Sequence, residues 1–198
     1  KYKIDYTKFD LKIKNVGSKN IYINDIKLKL IGKYNVLNAT AAIALCLNLG
    51  LKVKIIKQAL ESFSGVQRRL TKVFKKKQVE FYDDYAHHPT EIKSVLEAVR
   101  KVAPNRKIIT IFQPHRYSRL KTLNTEFASC FKDTDQIILC PVYSAGESID
   151  KKYNNVRFAK LISKFSKTQV IIVKNESDIT KYFKQNLINN EIVIGMGA

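Results

Sequence analysis

Cysteine is scarce: Cys46, Cys130 and Cys140 stand far apart in the 198 residues, with no C-x-x-C pair among them. That spacing excludes a disulfide scaffold and a thiolate zinc site, and it fits a reducing, cytoplasmic setting. No apolar run approaches the roughly 20 residues of a membrane span, and no signal peptide is expected. Neither G-x-x-x-x-G-K-[ST] nor G-x-G-x-x-G is present, so these residues do not cradle a triphosphate in the ordinary way unaided. A serine nucleophile elbow is missing too, as are internal repeats and low-complexity tracts. With 45% hydrophobic and 27% charged residues, a disordered chain is excluded. The length suits one sizeable α/β domain, or a domain with part of another.

What is abundant is positive charge. Thirty-six Lys and Arg face 17 Asp and Glu, for a net +19. Such a balance suits an anionic partner, and a basic nucleic-acid-binding module is one alternative it raises. The charge is mostly lysine, however, spread along the chain and without an aromatic platform, which reads better as a solvated surface. Neither a nucleic-acid nor a membrane partner is expected.

Residues 1–31 alternate with period two: Phe9, Leu11 and Ile13 precede Gly17-Ser18, and Ile26, Leu28 and Leu30 follow. That is a β-hairpin or meander with one buried face. A helix is expected over 36–49, capped by Asn35 and ended by Gly50, and a second over 53–63 with Gly65 as its stop. These elements read as the closing part of a domain that begins elsewhere. Beyond them, strand-like segments at 70–74 and 79–82 flank Lys75-Lys76-Lys77. Helices at 90–102, 122–131, 156–165 and 179–187 then alternate with short apolar strands at 108–112, 137–140, 170–173 and 192–194. Continuous apolar strands separated by helices specify a mostly parallel, doubly wound, Rossmann-like α/β sheet. The chain starts at Lys1 and stops inside a strand-to-loop passage, and is expected to be a fragment.

Such a sheet carries its ligand groups in the loops after strand carboxyl ends. The first of these, Asp83-Asp84-Tyr85-Ala86-His87-His88-Pro89-Thr90-Glu91, packs two carboxylates, a phenol and two imidazoles into six residues. A carboxylate at a strand end is suited to accept both hydroxyls of a ribose. In the next, Gln113-Pro114-His115-Arg116-Tyr117-Ser118-Arg119, Arg116 and Arg119 lie three apart and project to one side, a pair of forks for a carboxylate or phosphate. All three histidines fall in these two loops, but without metal-ligand spacing, and no metal ligand is assigned. Asn35 and Asn38 share a helix face and suit a nucleobase edge. Arg68-Arg69 stands at the junction after Gly65, suited to a phosphate. Tyr143-Ser144-Ala145-Gly146-Glu147 adds a third loop.

These segments, with Gly32-Lys33-Tyr34-Asn35-Val36-Leu37-Asn38-Ala39 and Phe63-x-Gly65-Val66-x-Arg68-Arg69, occur in an order that resembles the C-terminal half of the Mur ligases. Single motifs would be weak; five in order are strong. The resemblance implies residues 1–66 as the end of a central ATPase domain and 67–198 as most of a Rossmann-like ligase domain. It implies an ATP-dependent ligase of peptidoglycan synthesis that joins L-alanine to UDP-N-acetylmuramic acid through an acyl phosphate. A ligase that recycles whole peptides onto the same sugar is the nearest alternative. ATP and Mg²⁺ are the implied cofactors, with the Mg²⁺ ligands, phosphate loop and UDP site outside this chain, so the fragment by itself is expected to be inactive. By motif, Asn35 and Asn38 would contact adenine, Asp84 the ribose, and Arg68 and Arg69 the ATP phosphates. His87, Arg116 and Arg119 would act at the amino-acid end, with Tyr85 bordering them. The family often has Gly where Ala86 stands and His where Tyr34 stands.

Overall fold

The computed structural model describes residues 6–16, 19–150, 153–187 and 190–198. They divide into two units, the first made of the residues up to Gly65 together with Lys101–Ala103 and the second of Val66–Arg100 and Pro104–Ala198. Among the described residues no helix is long and apolar enough to cross a membrane.

In the first unit, β1 (Thr7–Val16) pairs antiparallel with β2 (Lys19–Leu28). The turn expected at Gly17-Ser18 lies outside the described residues. Strict alternation breaks where the register slips between Phe9 and Leu11. There Asp25 takes φ 55°, and its N–H is held by Asp10 Oδ1 at 2.8 Å. This bulge adds one residue to β2, so Ile23 and Ile26 are both buried although three apart. They pack with Ile43 of α1 (Lys33–Asn48) and Ile56 of α2 (Val53–Ser62).

Helix α1 starts earlier than expected. Gly32, at φ 98°, occupies the cap position and turns the chain straight into the helix. Asn35 is therefore not the cap: it sits inside the first turn, where its Nδ2 donates to Ile31 O at 2.8 Å. Gly50, at φ 79°, follows the helix in the left-handed conformation. Leu37 and Leu45 on the outward side of α1, and Leu49 just past its end, are 59%, 62% and 72% exposed.

The second unit is built on a six-stranded sheet in the order β3-β4-β8-β5-β6-β7. These strands are β3 (Thr71–Lys76), β4 (Val79–Asp84), β5 (Ile108–Phe112), β6 (Gln136–Leu139), β7 (Gln169–Ile172) and β8 (Ile192–Met196). Only β3 runs antiparallel to its neighbour. It is an edge strand that includes Lys75 and Lys76, expected to lie beyond it; edge lysines discourage further pairing. The turn to β4 uses Lys77 at φ 56°.

Between the parallel strands run α3 (Pro89–Val102), α4 (Tyr117–Thr122), α5 (Asn124–Ser129), α6 (Asn155–Ser166) and α7 (Glu176–Asn186). Connections from β4 to β7 step one way across the sheet, while α7 returns to place β8 between β4 and β5. Right-handed crossovers then require α7 to cover the opposite face. It does so with Ile179, Tyr182 and Phe183, packed on Ile109, Ile138 and Val193. On the other face Phe112 meets Phe127 and Phe131 at ring separations of 5.7 and 5.1 Å. Each phenylalanine so buried contributes about 1.5–3 kcal/mol. The helix expected over 122–131 is the shorter α5, and a further short helix, α4, precedes it across a break at Leu123 (φ −111°, ψ 31°).

Candidate functional site

The parallel arrangement brings the carboxyl ends of β4, β5, β6 and β8 to one edge of the second unit, where the chemistry-bearing loops meet. Four rings from three loops form a line. Tyr85 and His87 follow β4, with centroids 5.0 Å apart. His87 stands 6.0 Å from His115, after β5. His115 stands 5.5 Å from Tyr143, after β6. At one end, the Arg68 guanidinium lies 4.7 Å over the Tyr85 ring. Beside the centre, Arg119 Nη1 is 3.4 Å from His115 Nδ1. Arg116 is exposed and Arg119 half-buried.

The tautomers follow from the partners. His87 Nδ1 lies 2.8 Å from Tyr85 O, which only accepts, so Nδ1 carries the proton and Nε2 keeps its lone pair. An arginine only donates, so His115 Nδ1 is an acceptor. Burial lowers the His115 pKa, and the charges of Arg119 and Arg116 lower it further, which favours the neutral ring.

Asp84 departs from its expected role. Its carboxylate accepts Leu70 N–H at 2.7 Å and Ala86 N–H at 2.8 Å, and the residue is 1% exposed. Both oxygens fasten the loop from below rather than present an acceptor to a ribose. Burial raises its pKa above the ordinary value, and the two N–H bonds and the charge of Arg69 only partly offset this. Ala86 adopts no positive φ, so this position holds a side chain without backbone strain. Asp83, one residue earlier and half-buried, pairs with Arg68 Nε at 3.3 Å.

Arg68 is therefore heavily engaged, since its Nη2 also donates to Gly197 O at 2.8 Å. Arg69 is exposed, and among the described residues no hydrogen bond ties its side chain down. His88 and Glu91 close the start of α3: His88 Nδ1 accepts Thr90 N–H, and Glu91 Oε2 accepts the N–H groups of His87 and His88. This is a capping box with an imidazole in place of the hydroxyl. Sequence reasoning passed over Glu91, although its position three residues after His88 carries that signal. Asp83 and Glu147 carry no comparable local signal. The partner of Glu147 is 29 residues away, at Ser118, where no local pattern points to it. In the first unit Asn38 is exposed on α1 and Asn35 is tied to Ile31. Among the described residues no group of three or more His, Cys, Asp or Glu side chains is gathered to hold a metal ion.

Residues 68–198 match the family model described as Mur ligase, glutamate ligase domain. The chain is 49% identical over 196 residues to the UDP-N-acetylmuramate–L-alanine ligase of Pelagibacter ubique, covering 98% of this chain and 42% of that protein. It is 35% identical to the enzyme of the same name from Caulobacter vibrioides, over 96% of this chain and 40% of that one. Among solved structures, the UDP-N-acetylmuramate-alanine ligase of Thermotoga maritima superposes with a TM-score of 0.74 at 28% identity, covering 96% of this chain and 40% of that one. The chain thus spans about two fifths of the length of these relatives.

Proposed function

Because this chain belongs to the Mur ligase family, we propose that the protein carrying it is an ATP-dependent ligase that joins L-alanine to UDP-N-acetylmuramic acid, in the cytoplasm, during peptidoglycan synthesis. The observation that carries the proposal is the shared edge where His87 and His115 approach to 6.0 Å with Arg119 alongside. It gathers cations and a ring acceptor, the complement of a small amino acid.

In this reading Arg116 and Arg119 hold the alanine carboxylate by charge-assisted hydrogen bonds. Tyr85 borders the site. ATP transfers its terminal phosphoryl group to the muramyl carboxylate, giving ADP and an acyl phosphate. The alanine nitrogen attacks the acyl carbon, and a C–N bond forms. The Nε2 lone pair of His87, left open because Nδ1 is bound to Tyr85 O, accepts the proton released by nitrogen. The C–O bond to phosphate then breaks and the amide remains. Cationic groups stabilise the charge on the tetrahedral oxygen and the departing phosphate. Arg69 is assigned to an ATP phosphate, with Arg68 braced beside it. Asn38 and the oxygen of Asn35 are assigned to adenine. ATP and Mg²⁺ are the cofactors, with the phosphate loop and metal ligands in the remainder of the protein, and no step above passes through the metal.

Residues 1–66 are assigned to the end of the central ATPase domain and 67–198 to the ligase domain. The leucine face of α1 supports the first assignment, since a helix apolar on its outward side belongs within a larger body. The test is steady-state kinetics of the full-length ligase. Arg119→Ala should raise KM for L-alanine by about tenfold or more, the worth of one charge-assisted bond, with KM for ATP unmoved. An alanine KM unchanged in both Arg116→Ala and Arg119→Ala, or a preference for a whole peptide over alanine, refutes the proposal.

A further inference from the structure

The segment Tyr143–Glu147 has no role in the ligase chemistry above, yet it is fastened to the arginine loop at two places. Past the ends of β5 and β6 their ladder continues as an isolated parallel bridge between His115 and Tyr143. Arg116 N–H donates to Tyr143 O at 2.9 Å, and Tyr143 N–H to Pro114 O at 2.8 Å. Further along, Glu147 receives the Ser118 N–H on Oε2 at 3.1 Å and the Ser118 hydroxyl on Oε1. Ala145 and Gly146, at φ 50° and 86°, curl the segment between the two ties.

Between those ties sits Arg116, at φ 71° and ψ 131°. A non-glycine residue keeps such a backbone only where its surroundings over-determine it, and these outliers gather at functional sites. The Tyr143 bridge fixes Arg116 from the amino side, and Glu147 fixes it from the carboxyl side by holding Ser118, two residues on. Glu147 also sits in the field of the Arg116 guanidinium. A carboxylate is apt here for a second reason. It fills the Ser118 N–H in the first turn of α4, so this donor does not compete with the guanidinium groups for an incoming carboxylate.

We propose that Glu147 is a positioning residue: acting through Ser118, it locks Arg116 in its left-handed conformation and so sets where Arg116 and Arg119 meet the amino-acid carboxylate. The functional half of this inference rests on the reading of the arginine pair given above; the fastening does not.

The experiment combines amide hydrogen exchange with kinetics in the full-length ligase. In Glu147→Ala, exchange should accelerate over residues 116–120 and stay unchanged over 108–112. KM for L-alanine should rise between about tenfold and about a hundredfold, as small misplacements of a binding group do, with KM for ATP within about twofold. Glu147→Gln keeps one acceptor oxygen and should recover part of both effects; it is read in the same way should Glu147→Ala not accumulate folded. Unchanged exchange in the variants overturns the proposal. So does accelerated exchange with an unmoved alanine KM, where Arg116→Ala and Arg119→Ala do move it. Where neither arginine variant moves it, the amino-acid reading falls instead, and the exchange result alone upholds or overturns the fastening.

Discussion

Replacing Asp84 with alanine separates a loop staple from a nucleotide ligand. The carboxylate is the sole described partner of two backbone N–H groups, those of Leu70 and Ala86, at 2.7 and 2.8 Å. Removing it strands both donors, at about 1–3 kcal/mol each. Part of this returns, because Leu70 is held at φ 48° and relaxes once its tie is cut, and because the burial cost of the charge itself disappears. A net loss of about 2–4 kcal/mol follows. Asp83→Ala removes only the partly exposed ion pair with Arg68 and should cost less than about 1 kcal/mol. Urea unfolding followed by far-ultraviolet circular dichroism measures both variants, and the exchange rates of the Leu70 and Ala86 amides localise the effect. The reasoning is wrong if Asp84→Ala unfolds with the wild type while KM for ATP rises, which is the signature of a direct ribose contact.

Glu80 links pH to stability. Burial pushes its carboxyl up, but Lys72 and Arg106 outweigh burial and hold it below the ordinary value. Its contribution is therefore complete above the unfolded pKa and lost as pH falls through the folded one. Glu80→Gln should lose less stability than the wild type across that acid window, and coincident acid limbs would refute this. Asp84 has the opposite sign: its pKa is raised by burial, so its cost is relieved as pH falls through the folded value. Gly65→Ala, at φ 97° and with its new Cβ 2.9 Å from Leu30 Cδ2, the end of a half-buried side chain that must give way, should destabilise by up to about 1 kcal/mol more than Gly50→Ala, which is left-handed but open. Equal midpoint shifts in thermal melts would contradict that ordering. Arg69→Ala should leave stability within about 0.5 kcal/mol and raise KM for ATP in the full-length ligase; an unmoved KM removes Arg69 from the phosphate site.

Period and composition carried the sheet. The strand over 108–112 was legible to the residue because its run, Ile-Ile-Thr-Ile-Phe, is too short for a helix and rich in β-branched residues. So was the gathering of polar loops at one edge, which follows from strand parallelism. What was illegible depends on partners distant in sequence. The break at Leu123 leaves no glycine or proline to read. Asn35 resembles a cap, but the position was already taken by Gly32, whose positive φ only coordinates reveal. Asp84 and Asp83 are indistinguishable as letters, and strand alternation sends one beneath the loop and the other to the surface. Glu147 gains meaning only once the two loops are neighbours.

The sheet is closed by its latest strand. β8, residues 192–196, is inserted between β4 and β5, and the Gly197 behind it reaches Asp84 and Arg68 through its backbone. During synthesis the first five strands of this sheet leave the ribosome as two incomplete ribbons, each with a bare inner rim. The loops bearing His87 and Arg119 cannot settle against one another until the wedge arrives. Pairings of such long sequence separation are slow to form, so the edge that carries these loops is among the last parts of the sheet to acquire its shape.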